Sequence, residues 1–296
     1  MAVYYNLLCC CSADKQLPEL LAKFTYFNYS VVTISVLSNL TLGGSSVGGR
    51  KKRKLSSGLD SFESCSDILQ KIATMIDANA SLHSPLSPLF FRALPRLNLM
   101  DGHFDASTLR SVKCQQFDLI AISVSSFDGL ERIISQWSSW FDIITLDLDA
   151  LLVPENDDRL RRELDGDNGA DMPSSSADTD RAVTVEICYG PCLSDSSLRR
   201  RMVADFPRLW SLLKAKAGTN VILSLGLADD WDDVAEYLRS PRDLVSLMGL
   251  FGLRRDEVMR CVGANGERCL RLAGDRKRAA LKQLASTETV TGSNPL

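Results

Sequence analysis

Histidine is almost missing: His83 and His103 are the only two in 296 residues. A metal site or general base built on imidazole therefore has few positions to draw on. There is no H-x-H, no H-E-x-x-H and no P-loop, so the common histidine-metal and phosphate-loop signatures are excluded. No C-x-x-C pair occurs among Cys9, Cys10, Cys11, Cys65, Cys114, Cys188, Cys192, Cys261 and Cys269. An odd, irregularly spaced set points to a reducing compartment and buried thiols rather than a disulfide framework. Cys188 and Cys192 flank a Gly-Pro turn but lack further zinc ligands. No run reaches the 18 or so apolar residues of a membrane-spanning helix, so no membrane association is expected. The apolar start, Met1 to Cys11, has no basic region before its first charge, Asp14, and reads as a strand rather than a secretion signal.

What remains is an ordinary folding composition, 45% apolar and 24% charged, long enough to bury one large core or two smaller ones. The formal charge of −3 conceals opposed blocks. Residues 1–153 are balanced, with 13 Lys/Arg against 14 Asp/Glu. Residues 154–180 hold 3 basic and 9 acidic groups, whereas residues 181–278 hold 17 basic and 13 acidic. A basic final third beside an acidic insertion fits a polyanion-binding face, although a mixed surface would show the same totals.

Two stretches read as flexible insertions. About residues 42–60, Gly/Ser-rich sequence surrounds Arg50, Lys51, Lys52, Arg53 and Lys54. Small polar residues build no core and adjacent charges repel; the basic run has the composition of a nuclear-import signal or a nucleic-acid patch. Residues 154–181 are acidic, nearly free of aromatics and too long for a routine connection. The expected organisation is one domain over 1–287, with these two insertions and a disordered tail at 288–296.

Between the insertions, apolar runs alternate with helical patterns. Strands are expected at Ala2–Leu8, Ser30–Val36, Leu89–Leu99, Asp118–Val124, Phe141–Leu148, Val183–Tyr189 and Asn220–Leu225. Helices are expected at Lys15–Phe27, Ser61–Ala80, Ala106–Cys114, Phe127–Trp140, Asp195–Lys216, Pro241–Phe251, Asp256–Val262 and Glu267–Ala285. Seven or so strands alternating with helices specify a parallel α/β fold, TIM-barrel-like first and an open doubly wound sheet second. No G-x-G-x-x-G follows the first strand, which weakens the dinucleotide-binding version of the second.

Two helices offer basic faces. In the first, Leu198, Met202, Phe206, Leu209 and Leu213 form an apolar stripe. Arg200 and Arg201 then point outward, Arg199 borders the apolar edge, and Pro207 is expected to kink or divide the helix. In the second, Ser240 caps, Pro241 takes the first position, Asp243 meets the dipole and Gly252 closes the C-terminus. Arg239 and Arg242 stand at its start, where a phosphate cradle and a well-capped structural helix look alike. The catalytic alternative is a metal-dependent phosphoesterase using strand-end carboxylates: Asp147, Asp149, Asp118, Asp142 or Glu186. Such carboxylates are more often caps and turn residues.

Val185-Glu-Ile-Cys-Tyr-Gly-Pro191, Asp195-x-x-x-Arg-Arg200, Gly218-Thr-Asn-Val-Ile-Leu-Ser224, Leu238-Arg-Ser-Pro-Arg-Asp-Leu244 with Leu250-Phe-Gly-Leu253, and Arg276-Lys277 are five ordered blocks. Together they resemble the 30-kDa protein subunit family of ribonuclease P. Weaker similarity touches Met1-Ala-Val3, Tyr29-Ser-Val-Val32 and Phe117-Asp-Leu-Ile120. The resemblance implies a TIM-barrel-like scaffold related to the polymerase-and-histidinol-phosphatase barrels but without their metal ligands. It implies a non-catalytic, RNA-binding subunit, with no cofactor of its own, of an enzyme whose RNA, with Mg2+, removes the 5′ leader of precursor tRNA. Further implied are other ribonuclease P proteins, among them a small partner subunit, contact with precursor tRNA through the complex, and a nuclear, nucleolar location. Sharing with ribonuclease MRP and its RNA, for rRNA processing, is also implied. Asn6 stands where relatives often carry an acid, Gly190 replaces a serine and Ala182 a glycine; these departures bear on metal chemistry more than on RNA binding. Arg199, Arg200, Arg239, Arg242, Arg276 and Lys277 are the expected RNA- or partner-facing residues.

Overall fold

Leu119-Ile-Ala-Ile-Ser-Val124, Ile143-Ile-Thr-Leu146 and Val221-Ile-Leu-Ser224 show almost no polar alternation, because both faces of their sheet are covered. The computed structural model describes residues 5–10, 17–27, 29, 31–37, 70, 92–100, 109, 117–153, 184–216, 220–226 and 234–291. Its strands are β1 (Tyr5–Cys10), β2 (Val31–Leu37), β3 (Arg92–Met100), β4 (Leu119–Val124), β5 (Ile143–Leu146), β6 (Thr184–Cys188) and β7 (Val221–Ser224). They form one sheet in the order β1-β2-β3-β4-β5-β6-β7, and every neighbouring pair is parallel. A doubly wound sheet reverses its order part-way. This one never does, which is the strand order of TIM-barrel winding.

The helices are α1 (Leu17–Tyr26), α2 (Phe127–Arg132), α3 (Leu148–Leu151), α4 (Gly190–Ser194), α5 (Ser196–Lys216), α6 (Val234–Tyr237), α7 (Pro241–Leu250), α8 (Arg255–Cys261) and α9 (Ala264–Thr291). Strand side chains alternate between two cores. Ile120, Ile122, Ile144, Val185, Ile187 and Leu223 belong to the larger one, shared with the helices. Leu119, Ala121, Ile143 and Ile222 turn the other way and meet Tyr5 together with Cys269 and Ala273 of α9. The C-terminal helix thus closes over the N-terminal ends of the strands.

Several boundaries moved, each for a physical reason. β5 stops at Leu146 because the Asp147 carboxylate accepts the Ala150 N–H at 3.2 Å and caps α3. The helix expected over Phe127–Trp140 is α-helical only to Arg132; a wider π turn follows over Ile133–Trp137, leaving Trp137 and Trp140 half-buried against the larger core. α5 is not divided at Pro207. Pro207 and Val203, whose carbonyl it leaves without a helical donor, are both exposed residues on the outer side of the helix. α7 keeps its expected punctuation: Ser240 Oγ accepts the Asp243 N–H at 3.2 Å, and Gly252 takes a φ of +86° while Leu253 N–H reaches Met248 O at 3.1 Å. α9 runs on to Thr291, into the expected tail, because neither glycine nor proline interrupts it between Asp275 and Gly292. The helices expected at 61–80 and 106–114, the basic run Arg50–Lys54 and both insertions lie largely or wholly outside the described residues.

The two ends of the strand order are tied together through the α8–α9 junction. Tyr5 N–H donates to Val262 O at 2.8 Å, and Asn265 Nδ2 donates to Val221 O at 2.7 Å. Gly266 sits directly against Tyr5, where an added Cβ would lie 2.7 Å from both Cβ and Cγ of that side chain. Alanine would gain about 1 kcal/mol of helix propensity, but overpacking costs about 1–3 kcal/mol. Gly266→Ala is therefore expected to lower the melting temperature by a few degrees in thermal unfolding; a variant more stable than the parent would show that this junction is loosely packed.

Candidate nucleic-acid interface

Within β3 the alternation Arg96-Leu97-Asn98-Leu99 turns two polar side chains to one face of the sheet and two leucines to the other. Arg96 is fully buried, and its guanidinium meets Glu186 of β6 in a fork, Nη1 to Oε1 at 2.8 Å and Nη2 to Oε2 at 2.6 Å. Nη2 also donates to Thr145 Oγ1 at 2.8 Å and Nε to Asn98 Oδ1 at 2.8 Å. The Glu186 carboxylate accepts further bonds from Thr145 Oγ1 at 2.8 Å and Ser224 Oγ at 2.7 Å. One ion pair thus joins β3, β5, β6 and β7 around a densely bonded polar centre. Nearby, burial and then the Glu186 charge push the Cys188 thiol well above its ordinary value, so it stays protonated.

The other candidate carboxylates are also occupied. Asp142 is buried; its Oδ2 accepts Ile120 N–H at 2.9 Å, and Arg276 Nε donates to its two oxygens at 2.8 and 2.9 Å. Asp118 binds Lys277 Nζ at 2.7 Å. Asp147 caps α3, and Asp149 pairs with Arg201. Among the described residues, no three His, Cys, Asp or Glu side chains gather as a metal site. Glu186 is a mid-strand core residue rather than the strand-end acid expected.

The expected interface residues separate into two ends and two roles. α4 and α5 follow β6, and the Tyr189 hydroxyl at the end of β6 accepts the Arg239 N–H at 3.3 Å. Arg199 and Arg200 at the start of α5 and Arg239 and Arg242 at the start of α7 therefore lie beyond the C-terminal end of β6. Arg199 spends its guanidinium on Cys192 O at 2.8 Å and Leu193 O at 2.7 Å, closing α4. Arg239 Nη1 donates to Glu236 O at 2.6 Å and Leu238 O at 3.0 Å, while Tyr29 Oη holds its carbonyl at 2.9 Å. Ser240 Oγ donates to Asp243 Oδ2 at 2.8 Å, so a carboxylate already stands at the α7 N-terminus, which is a structural cap rather than an open cradle. Arg201 folds inward onto Asp149 instead of pointing outward, because α3 stands beside that face. Arg200 and Arg242 are exposed and have no acceptor among the described residues.

At the opposite end, Arg276 is only 6% exposed, and Lys277 is half-buried against Asp118. Both fasten α9 beneath the strands; Arg276 is sealed in that contact and presents no guanidinium to the surface. The residues that sequence reasoning missed are Arg96 and Asn98. Their signal was a charged and an amide side chain two positions apart inside an apolar run.

The model of the family described as RNase P subunit p30 matches residues 91–278. The match spans more than half of the chain, from the strand that bears Arg96 to the helix that bears Arg276. The chain belongs to the RNase P subunit p30 family. As such it is a component of ribonuclease P and acts within that complex of RNA and protein. All five ordered blocks of the sequence fall inside the matched range, whereas Met1–Val3 and Tyr29–Val32 fall outside it. The match therefore contains the buried Arg96–Glu186 pair and both exposed arginines of the α5 and α7 ends.

Arg96→Met leaves Glu186 buried without its counter-charge and is expected to cost about 3–5 kcal/mol. Changing Glu186→Gln as well should recover more than half of that loss in denaturant midpoints. A single variant as stable as the parent would show that the pair does not organise the strands.

Proposed function

We propose that this chain is a non-catalytic, RNA-binding scaffold subunit of ribonuclease P, its sheet closed as a TIM-like barrel over one domain spanning about 1–287. In this reading the RNA of the complex, with its own Mg2+, cleaves the 5′ leader from precursor tRNA. The protein grips and orders that RNA beside a small partner subunit and other ribonuclease P proteins, and needs no cofactor. Residence in the nucleus and nucleolus, import through Arg50–Lys54 and sharing with ribonuclease MRP and its RNA, for rRNA processing, belong to the same proposal. Arg199, Arg200, Arg239 and Arg242 form its RNA- or partner-facing surface, with Arg276 and Lys277 holding α9 beneath.

The observation that carries it, beyond family membership, is how charge is spent. Glu186 and Asp142, candidate acids of a phosphoesterase, are buried and bound to Arg96 and Arg276. Meanwhile Arg200 and Arg242 project into solvent from neighbouring helix ends. Arg199 and Arg239, fixed to backbone carbonyls, lend positive potential beside them without being free to move. Guanidinium groups so placed suit phosphate oxygens, which present charge without base identity.

Arg200→Glu with Arg242→Glu should weaken binding to transcribed ribonuclease P RNA at least about tenfold near 0.1 M salt. The logarithmic salt dependence should also become shallower, by about 0.7–0.9 for each phosphate that the variant no longer neutralises. Unfolding of the double variant should match the parent, since both side chains are exposed. A folded double variant that retains RNA at full affinity would remove these arginines from the surface.

A further inference from the structure

We infer that the solvent face of α9 is a second phosphate-binding surface, which takes the sugar-phosphate backbone of RNA at the end of the sheet opposite Arg200 and Arg242. The inference rests on the RNA-binding reading above and adds a separate place of contact.

Helical spacing at 100° per residue puts Cys269, Ala273 and Arg276 on one side of α9, and all three are buried. Arg268, Arg271, Arg278 and Lys282 fall on the other side, and all four are exposed. The stripe rises about 21 Å from Arg268 to Lys282, at 1.5 Å per residue. Its long arms can therefore meet more than one phosphate along a strand.

The acids on this face do not cancel it. Asp275 is already held by Arg278. Glu267 is exposed and raises the Tyr5 phenol after burial has done so, but with Asp275 it sets only two acids against the four basic groups Arg268, Arg271, Arg278 and Lys282. Elsewhere several arginines are committed: Arg199 and Arg239 to carbonyls, Arg201 to Asp149, and Arg254 and Arg260 to Asp256. Arg268 and Arg271 sit one turn apart and have no acceptor among the described residues. Two unspent guanidinium groups, beside Arg278 with its Asp275 partner and Lys282, make a stripe with basic excess on a helix anchored from beneath by Arg276–Asp142 and Lys277–Asp118. The anchoring matters, because a helix fixed on its inner side holds its outer arginines in register at little further entropic cost.

RNA is the occupant that this chemistry favours over an acidic protein. Arginine's planar fork matches phosphate oxygens bidentately, and the face carries no exposed large apolar side chain among the described residues to anchor a protein interface. Because the two arginine sets sit at opposite ends of the strands, they engage separate RNA segments, and their losses should multiply.

The test uses the full chain with transcribed ribonuclease P RNA. Three variants are compared with the parent by filter binding across a salt series: Arg268→Glu/Arg271→Glu, Arg200→Glu/Arg242→Glu, and the combination of all four. Each pair should lower affinity about tenfold or more and flatten the salt dependence, and the combination should give about the product of the two losses. Arg268→Gln/Arg271→Gln, which adds no repulsive charge, should show a smaller loss in the same direction and guards against misfolding of the glutamate pair. Parent-like affinity in both α9 variants, with Arg200→Glu/Arg242→Glu still weakened, overturns this inference alone. Undiminished binding in every variant overturns the RNA-binding reading as well. If the α9 variants keep full RNA affinity but lose a protein from the complex purified from cells, the face is a protein interface and the inference is wrong.

Discussion

A single buried ion pair sets the terms for the rest of this molecule. Arg96 and Glu186 lie at the middle of a parallel sheet, fully buried, with a fork of hydrogen bonds between them and Asn98, Thr145 and Ser224 around them. Taking two charges out of water is costly, and the cost is offset only when the geometry is good and further hydrogen bonds occupy the remaining donors and acceptors. The pair therefore demands that β3, β5, β6 and β7 keep their register. A slip by one residue would turn one partner to the opposite face and leave the other unpaired. Apolar packing alone would tolerate several arrangements of these strands, since their hydrophobic residues are nearly interchangeable.

The same economy extends outward to the strand ends. Asp142 and Asp118 precede β5 and β4, and Arg276 and Lys277 of α9 reach them from below. Charge that looks catalytic or RNA-binding in the sequence is consumed in locking a long helix over one end of the sheet. At the other end, Tyr29 and Tyr189 meet the backbone of Arg239, and Arg199 closes α4, so the starts of α5 and α7 are held by side-chain bonds to main-chain atoms. Such rigid mountings leave Arg200 and Arg242 as arms on fixed shoulders. For a subunit of a ribonucleoprotein, a scaffold that spends most of its charge internally and leaves a few guanidinium groups exposed is a coherent design.

Much of this was legible in the residues. The apolar runs located the strands to within a few positions, because parallel strands covered on both faces leave an unbroken hydrophobic signature. The stripe Leu198, Met202, Phe206, Leu209 and Leu213 is buried as its spacing requires, and Ser240 and Gly252 bound α7 through local chemistry that needs no tertiary information. The family was legible too, since five ordered blocks constrain far more than any one motif. What sequence could not reveal is pairing across distance. Arg96 and Glu186 are 90 residues apart, and Arg276 and Asp142 are 134 apart; nothing local marks an arginine whose partner arrives from another strand. Arg276 therefore looked like a surface residue, and Glu186 like an available acid. Helix continuity through Pro207 was equally hidden, because it depends on which side of α5 faces solvent.

The central claim is that this protein lives bound to the RNA of ribonuclease P. The most direct measurement is to purify the tagged full-length chain from its native cell under gentle salt and to sequence the RNA that comes with it. The account predicts strong enrichment of ribonuclease P RNA, with ribonuclease MRP RNA beside it. Recovery of neither RNA, with the protein intact and folded, would contradict it.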